Sequence, residues 1–239
     1  MAEIKSKSQK IAEGEPPRSG ALTSTLSIAL HTHYAIRLWD GRKSDDEKHK
    51  RTDILSMPEV IQRAGRVFSD SAADNPYADA LLMKLETTLN ASSAKIALQV
   101  RELESILADL PKGVTLSEVT STHPLNIGVY SRSPLGYRCV WLLVGYDQLV
   151  MKTFQAWHYG LIARSMRDHY LSEGGYAVRQ VYGVIRTYRV MPVTRDDIRH
   201  STERGQKALS QLGELDPDIF SGKKRSSFVS SQLVEKDER

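Results

Sequence analysis

The longest regular pattern in this sequence is an apolar stripe between residues 82 and 110. Apolar residues recur there at spacings of three and four, at Leu82, Leu85, Leu89, Ile96, Val100, Leu103, Leu107 and Leu110. This spacing predicts one long amphipathic helix that begins at Asn75-Pro76, ends near residues 111–113 and weakens only at residues 90–93. The apolar face of such a helix needs a partner. We expect that partner to be other helices of the same chain, with self-association as the alternative.

Positive charge is concentrated in residues 123–195. This segment has nine Lys/Arg and three Asp/Glu, a net charge of +6, whereas residues 1–122 and 196–239 each carry −1. Eight of the nine bases are arginine, whose fork of donors suits phosphate and guanine. A local concentration of positive charge favours the binding of a polyanion. We expect these side chains to gather on one accessible surface of the folded protein.

The basic segment is predicted to be a β-hairpin followed by two helices. Residues 124–132 alternate as a half-buried strand, residues 133–136 (SPLG) suit a type I turn, and residues 137–144 form an apolar return strand. We expect Asp147 to cap the first helix and a turn at residues 168–172 to separate it from the second. A second candidate strand, residues 22–30, has a hydroxyl-rich face with Thr23, Thr25 and Ser27. Either strand could be a DNA-contacting ribbon.

The remaining boundaries follow from local signals. We predict a short helix at residues 34–39 that ends at Asp40-Gly41, and a second helix that opens at Pro58. A further helix begins at a capping box of Thr194 and Asp197 and stops at Gly213. Residues 1–20 are predicted to be a disordered leader, residues 21–222 a single domain and residues 223–239 a disordered tail. The fold class expected is α+β, mainly helical with a small antiparallel sheet.

Composition argues against several classes of protein. No run of about 18 apolar residues exists, so a membrane span is not expected. Cys139 is the single cysteine, and it fits a reducing cytoplasm and a core position rather than a nucleophile. His31 and His33 lack further clustered ligands, so we expect a structural role rather than a metal site. We therefore predict no enzyme, no catalytic residue, no metal, no cofactor and no small-molecule substrate.

The arginine-rich segment predicts a duplex DNA ligand. Aromatic residues are interleaved with its bases, and a two-stranded ribbon fits the major groove. Arg132 and Arg138, which flank the predicted turn, are the candidates for groove or base contacts. The candidates for phosphate contacts are Lys152, Arg164, Arg167, Arg179, Arg186 and Arg189.

Several short motifs in combination resemble a family found on conjugative plasmids and integrating conjugative elements, whose plasmid members are the AcaB-type transcriptional regulators of conjugation. The motifs are LHTHYA at 30–35, LWDGR at 38–42, NPYAD at 75–79, GY at 136–137, GYDQLV at 145–150 and VTRDDIR at 193–199. The resemblance covers roughly residues 20–222. It implies a homodimeric, DNA-binding activator of transfer genes with a ribbon-helix-helix-like element. The alternative is a structural scaffold of the conjugation machinery that binds protein, favoured by the apolar stripe at residues 82–110.

Overall fold

The computed structural model describes residues 24–43 and 53–229. The predicted leader at residues 1–20 lies outside this range, as do residues 230–239 of the predicted tail. In chain order the elements are β1 (Leu26–Leu30), α1 (His33–Asp40), α2 (Met57–Ala72), α3 (Pro76–Ala108), β2 (Leu125–Val129), α4 (Pro134–His158), α5 (Arg164–Arg186), α6 (Arg195–Arg199), α7 (Glu203–Leu212) and α8 (Pro217–Phe220).

The long helix α3 forms the centre of the core. The Asn75 side chain accepts hydrogen bonds from the first backbone N–H groups, and Pro76 occupies the first turn, where a missing N–H costs nothing. The stripe is covered by α4 and α5, and Leu82, Leu85 and Leu89 are fully buried. At the weak point of the stripe, the buried Ser92 hydroxyl donates to the carbonyl of Ala177 at 3.2 Å. The apolar stripe of α3 is therefore buried by packing within the same chain.

The two short strands form one antiparallel sheet. Leu26 pairs with Val129 and Leu30 pairs with Leu125, so β1 and β2 are in register over their whole length. Ile28, Leu30 and Val129 are buried on the inner face. The two strands that were alternative ribbon candidates therefore lie side by side in a single ribbon.

The predicted return strand at residues 137–144 is wrong, because these residues belong to α4. The Ser133 side chain accepts from the Gly136 N–H at 3.1 Å, and Pro134 occupies the first turn, so this run starts a helix rather than a hairpin. An apolar run without periodicity fits a buried helix as well as a central strand. Because no return strand exists, β2 pairs with residues 26–30 instead.

We expected Asp147 to cap the following helix, but it lies buried in the middle of α4. Its carboxylate accepts hydrogen bonds from the backbone N–H of His31 at 2.7 Å and of Thr32 at 2.9 Å, and from the Thr32 hydroxyl at 2.6 Å. Thr32 is the N-cap of α1. This carboxylate therefore fixes the junction between the ribbon and α1.

The break between α4 and α5 also differs from the prediction. It lies at residues 159–163, where Gly160 has a φ of +73°, and the predicted turn at residues 168–172 is helical. Similarly, the single helix predicted after Thr194 is two helices, α6 and α7, separated at Ser201 with a φ of +51°. The Thr194–Asp197 capping box is confirmed, as is the end of α7 at Gly213.

The C-terminal segment packs against α3 through buried charges. Arg195 is 4% exposed and forms ion pairs with Asp74 at 2.5 Å and with the fully buried Asp79 at 2.5 Å. Arg225 also pairs with Asp79, at 3.1 Å. Further along, Ser226 donates to Glu86 at 2.7 Å. Disorder was expected from residue 223, but residues 223–229 are thus part of the packed structure.

Candidate nucleic-acid interface

The outer face of the ribbon carries short or polar side chains. Ser27 on β1 and Asn126 and Gly128 on β2 are exposed, and Ala29 between them is partly exposed. Tyr130 follows β2 on the same face and is 76% exposed. Short side chains allow another surface to approach the backbone closely, while the Asn126 amide offers both a donor and an acceptor.

A groove with three arginines runs beside the ribbon. It has a volume of about 720 Å³ and lies between α2 and β2, and Trp39 also lines it. Its cationic lining consists of Arg63 and Arg66 from α2 and of Arg132, which follows β2. We call it the ribbon groove. Arg66 is 59% exposed and also pairs with Asp70 at 3.1 Å, which leaves most of its guanidinium in solvent.

The segment that follows β2 packs against α2 at Gly65. A Cβ at this position would stand 3.4 Å from the Cβ of Arg132, at the short end of ordinary van der Waals contact. Arg63 and Arg66 are therefore set beside Arg132 by tertiary packing. Sequence reasoning missed both, because they lie outside the basic segment. The only sequence signal for Arg63 and Arg66 was that they lie on a different side of helix α2 from its apolar residues.

Arg138 was the other candidate for base contacts, and it lies away from the ribbon groove. Its Nη2 donates to the Asn90 side chain at 2.7 Å, and its guanidinium lies 5.4 Å from the centre of the Phe228 ring. Asn90 belongs to α3 and Phe228 to the C-terminal segment. These contacts hold the Arg138 side chain on a different part of the protein surface.

Three of the predicted phosphate contacts are engaged by carboxylates. Lys152 pairs with Glu104 at 3.1 Å, Arg164 with Asp168 at 3.8 Å, and Arg167 with Asp168 at 2.7 Å. Arg167 also stacks on Trp157, with its guanidinium carbon 4.4 Å from the ring centre. The first pair bridges α4 and α3, and the other two lie at the start of α5.

The last three predicted residues are exposed on α5 or just after it. Arg179 lines a separate groove with Arg37, Arg186 donates to the carbonyl of Asp53 at 3.1 Å, and Arg189 is exposed. The eight predicted side chains thus do not gather on one surface, and of them only Arg132 lines the ribbon groove. The reason is that helices turn successive arginines toward different sides, so proximity along the chain does not give a shared face.

Cys139 and His31, which were considered as a nucleophile and a metal ligand, both lie in environments that fit a structural role. Cys139 is fully buried, and burial raises the pKa of its thiol to about 12, although Arg138 acts in the opposite direction. The ring Nδ1 of His31 accepts a hydrogen bond from the Ser121 N–H at 3.1 Å. In the part of the chain described by the structure, no cluster of His, Cys, Asp or Glu is suited to a metal. Within the same residues, no helix has the length and hydropathy of a membrane span.

Comparisons with known proteins place this fold in a family. The family model described as transcriptional regulator AcaB matches residues 18–233. A crystal structure of selenomethionine-containing AcaB from uropathogenic E. coli superposes with a TM-score of 0.53 at 13% identity, covering 85% of this chain and 97% of that chain. This likeness supports the mainly helical fold with its two-stranded antiparallel sheet. No curated protein matches the sequence. The match over most of its length shows that the chain belongs to the AcaB family of transcriptional regulators.

Proposed function

We propose that this transcriptional regulator binds duplex DNA in a sequence-specific manner through the outer face of the β1–β2 ribbon. The observation that carries the proposal is the exposed ribbon face with the three arginines of the ribbon groove beside it. A two-stranded ribbon has dimensions that fit the major groove. In this arrangement Asn126 reads base edges, because a side-chain amide can pair with adenine. Arg63, Arg66 and Arg132 are close enough to the ribbon to reach phosphates or bases.

The element order supports a ribbon-helix-helix-like unit made of β2, α4 and α5. In such proteins one strand from each of two chains forms the ribbon. Here β1 of the same chain occupies the position of the second strand, so one copy already holds a complete ribbon. A homodimer would then present two ribbons to two half-sites related by its two-fold axis. We propose this assembly, acting in the cytoplasm as an activator of conjugative transfer genes.

The alternative of a protein-binding scaffold loses its main support in this structure. It was favoured by the apolar stripe of α3, and that stripe is covered by α4 and α5 of the same chain. The regulator is therefore the function that the structure favours.

Footprinting on promoters of the element that carries this gene, followed by a gel-shift titration, tests the proposal. Asn126→Ala should reduce discrimination between operator and random DNA by about 1–3 kcal/mol, or roughly 5- to 150-fold. Arg132→Ala should weaken binding and, if its contact is to a phosphate, reduce the salt slope by about one. The matched control is Arg101→Ala, since Arg101 is an exposed residue of α3.

Arg138→Ala gives a further comparison, because the contacts of Arg138 with Asn90 and Phe228 predict a change in stability rather than in DNA affinity. Unchanged operator binding in both the Asn126 and Arg132 variants would contradict the proposed interface. Little DNA affinity at any salt concentration would contradict a DNA ligand, whose binding should weaken steeply as salt rises. Sedimentation of the free protein and of the complex tests the dimer.

A further inference from the structure

A second groove lies between α1 and α5 and is also rich in arginine. It has a volume of about 750 Å³ and is lined by Arg37 of α1, Arg42 just after α1 and Arg179 of α5. Tyr34, Tyr146, Asp168 and Ser172 are the other polar residues of its lining. We call it the arginine groove. Guanidinium groups brought together from separate elements form a preorganised anion-binding arrangement.

Tyr146 forms the floor of the arginine groove. Its side chain is largely buried, and its hydroxyl donates to the carbonyl of Leu171 at 3.1 Å. The Tyr146 hydroxyl and Nη1 of Arg179 both lie 3.1 Å from the point where a Cβ would stand on Gly175, so they are close neighbours. Burial raises the pKa of Tyr146 to about 12, and the positive charges of Arg179 and Arg37 act in the opposite direction. Both positive charges thus act on this hydroxyl.

The positive charge of the arginine groove is only partly balanced. Within residues 24–43 and 53–229, the guanidinium groups of Arg37 and Arg179 form neither an ion pair nor a hydrogen bond. Among the described residues, the carboxylate that lines this groove is Asp168, and it pairs with Arg164 and Arg167. Guanidinium groups that stay in solvent beside a concave surface attract anions.

The arginine groove is separate from the ribbon groove. Arg37 lines the former and Trp39 the latter, and both residues belong to α1. With about 3.6 residues per turn, positions two apart lie on nearly opposite sides of a helix. Helix α1 therefore stands between the two grooves, and a ligand in one does not occupy the other.

We propose that the arginine groove binds a small phosphorylated ligand of nucleotide size. Planar guanidinium forks match phosphate oxygens in a bidentate geometry, and several arginines together suit the multiple charges of a phosphorylated ligand. A volume of about 750 Å³ lies in the range typical of small-molecule sites. Tyr34 is 41% exposed at the groove and offers a ring on which a base can stack. This site is independent of the proposed DNA interface, since it uses a different flank of α1.

Isothermal titration of the full chain with ATP, inorganic pyrophosphate and adenosine tests the proposal without DNA. ATP and pyrophosphate should bind, and adenosine should bind far more weakly because it has no phosphate. Arg37→Gln and Arg179→Gln should each reduce ATP affinity by about tenfold or more, the loss expected for a charge-assisted hydrogen bond. Arg63→Gln in the ribbon groove and Arg101→Gln on α3 are the matched controls and should leave ATP affinity unchanged. Thermal melts confirm that each variant is folded.

Three results would overturn the proposal. The first is that neither ATP nor pyrophosphate binds the unaltered protein. The second is ATP affinity that stays unchanged in the Arg37 and Arg179 variants. The third is loss of duplex DNA affinity in these two variants without any loss of ATP affinity, which would assign the groove to DNA phosphates. Failure of the DNA proposal would not affect this outcome, because the ATP titration contains no nucleic acid.

Discussion

Replacing Gly174 with alanine should destabilise the protein, because this glycine lies where α5 crosses α4 with no room for a side chain. A Cβ at Gly174 would stand 2.7 Å from Cδ2 of Leu149 and 2.7 Å from Cδ2 of Tyr146. Carbon atoms pack best at about 3.5–4.0 Å, so the added methyl overlaps both side chains. Both neighbours are buried and cannot rotate into solvent. The helices must therefore separate locally or the side chains must leave their rotamers.

The expected magnitude follows from two opposing effects. Overpacking of a core costs about 1–3 kcal/mol, and the alanine recovers up to about 1 kcal/mol of helix propensity. Gly183 is the matched control on the same helix, since a Cβ there would meet nothing within 4 Å. Gly183→Ala should gain up to about 1 kcal/mol from propensity alone. Because the propensity gain is common to both sites, the two free energies of unfolding should differ by the overpacking cost, about 1–3 kcal/mol.

Urea denaturation at fixed temperature measures both variants, with the m-value used to confirm that the transition remains two-state. The expected order of stability is Gly183→Ala, then the unaltered protein, then Gly174→Ala. A Gly174→Ala protein as stable as Gly183→Ala would refute the close approach of α4 and α5. Tyr146 also forms the floor of the arginine groove, so ATP titration of Gly174→Ala reports whether this packing shapes that groove.

Two further predictions concern buried polar groups of α4. Asp147→Ala should lower the free energy of unfolding by at least about 3 kcal/mol in the same urea assay, because it leaves three donors at residues 31–32 without their carboxylate. Asp168→Ala is the exposed control, and a loss at Asp147 no larger than the loss at Asp168 would contradict the prediction. Burial raises the pKa of Cys139 to about 12. The folded state therefore keeps a proton on this thiol that the unfolded state loses above about pH 8.5. The contribution of the thiol to stability is complete below that pH and falls as the pH rises from about 8.5 toward 12. A disulfide reagent at pH 9 should therefore label Cys139 only in denaturant, and rapid labelling of the native protein would contradict its burial.

Local signals in the sequence determined the starts of several helices. Asn75-Pro76 and the Thr194–Asp197 capping box act within a few residues of the chain, because a side-chain oxygen satisfies nearby backbone N–H groups. The apolar stripe of α3 was readable for a similar reason, since its period is fixed by helix geometry. Where the stripe was interrupted, the polar Ser92 found a backbone acceptor on α5.

Signals without periodicity were misread. Residues 137–144 are apolar on every side, and such a run is compatible with a central strand or a buried helix. The cap at Ser133 and Pro134 favoured the helix, although the same residues also suit a type I turn. Asp147 likewise has the residue type of a helix cap, and only the fold shows that it instead binds His31 and the N-cap residue Thr32, more than a hundred residues earlier.

The sequence by itself determined the long helix α3, the caps at Asn75 and Thr194 and the family, because these depend on local geometry and on short motifs. Tertiary structure alone decided which arginines become neighbours. Arg63 and Arg66 lie beside Arg132 because α2 packs against the segment that follows β2, whereas Arg138 is held at α3 by Asn90. Charge density along a chain is a one-dimensional quantity. A binding surface is formed by side chains that packing brings together from distant positions, and here one ribbon joins strands about a hundred residues apart.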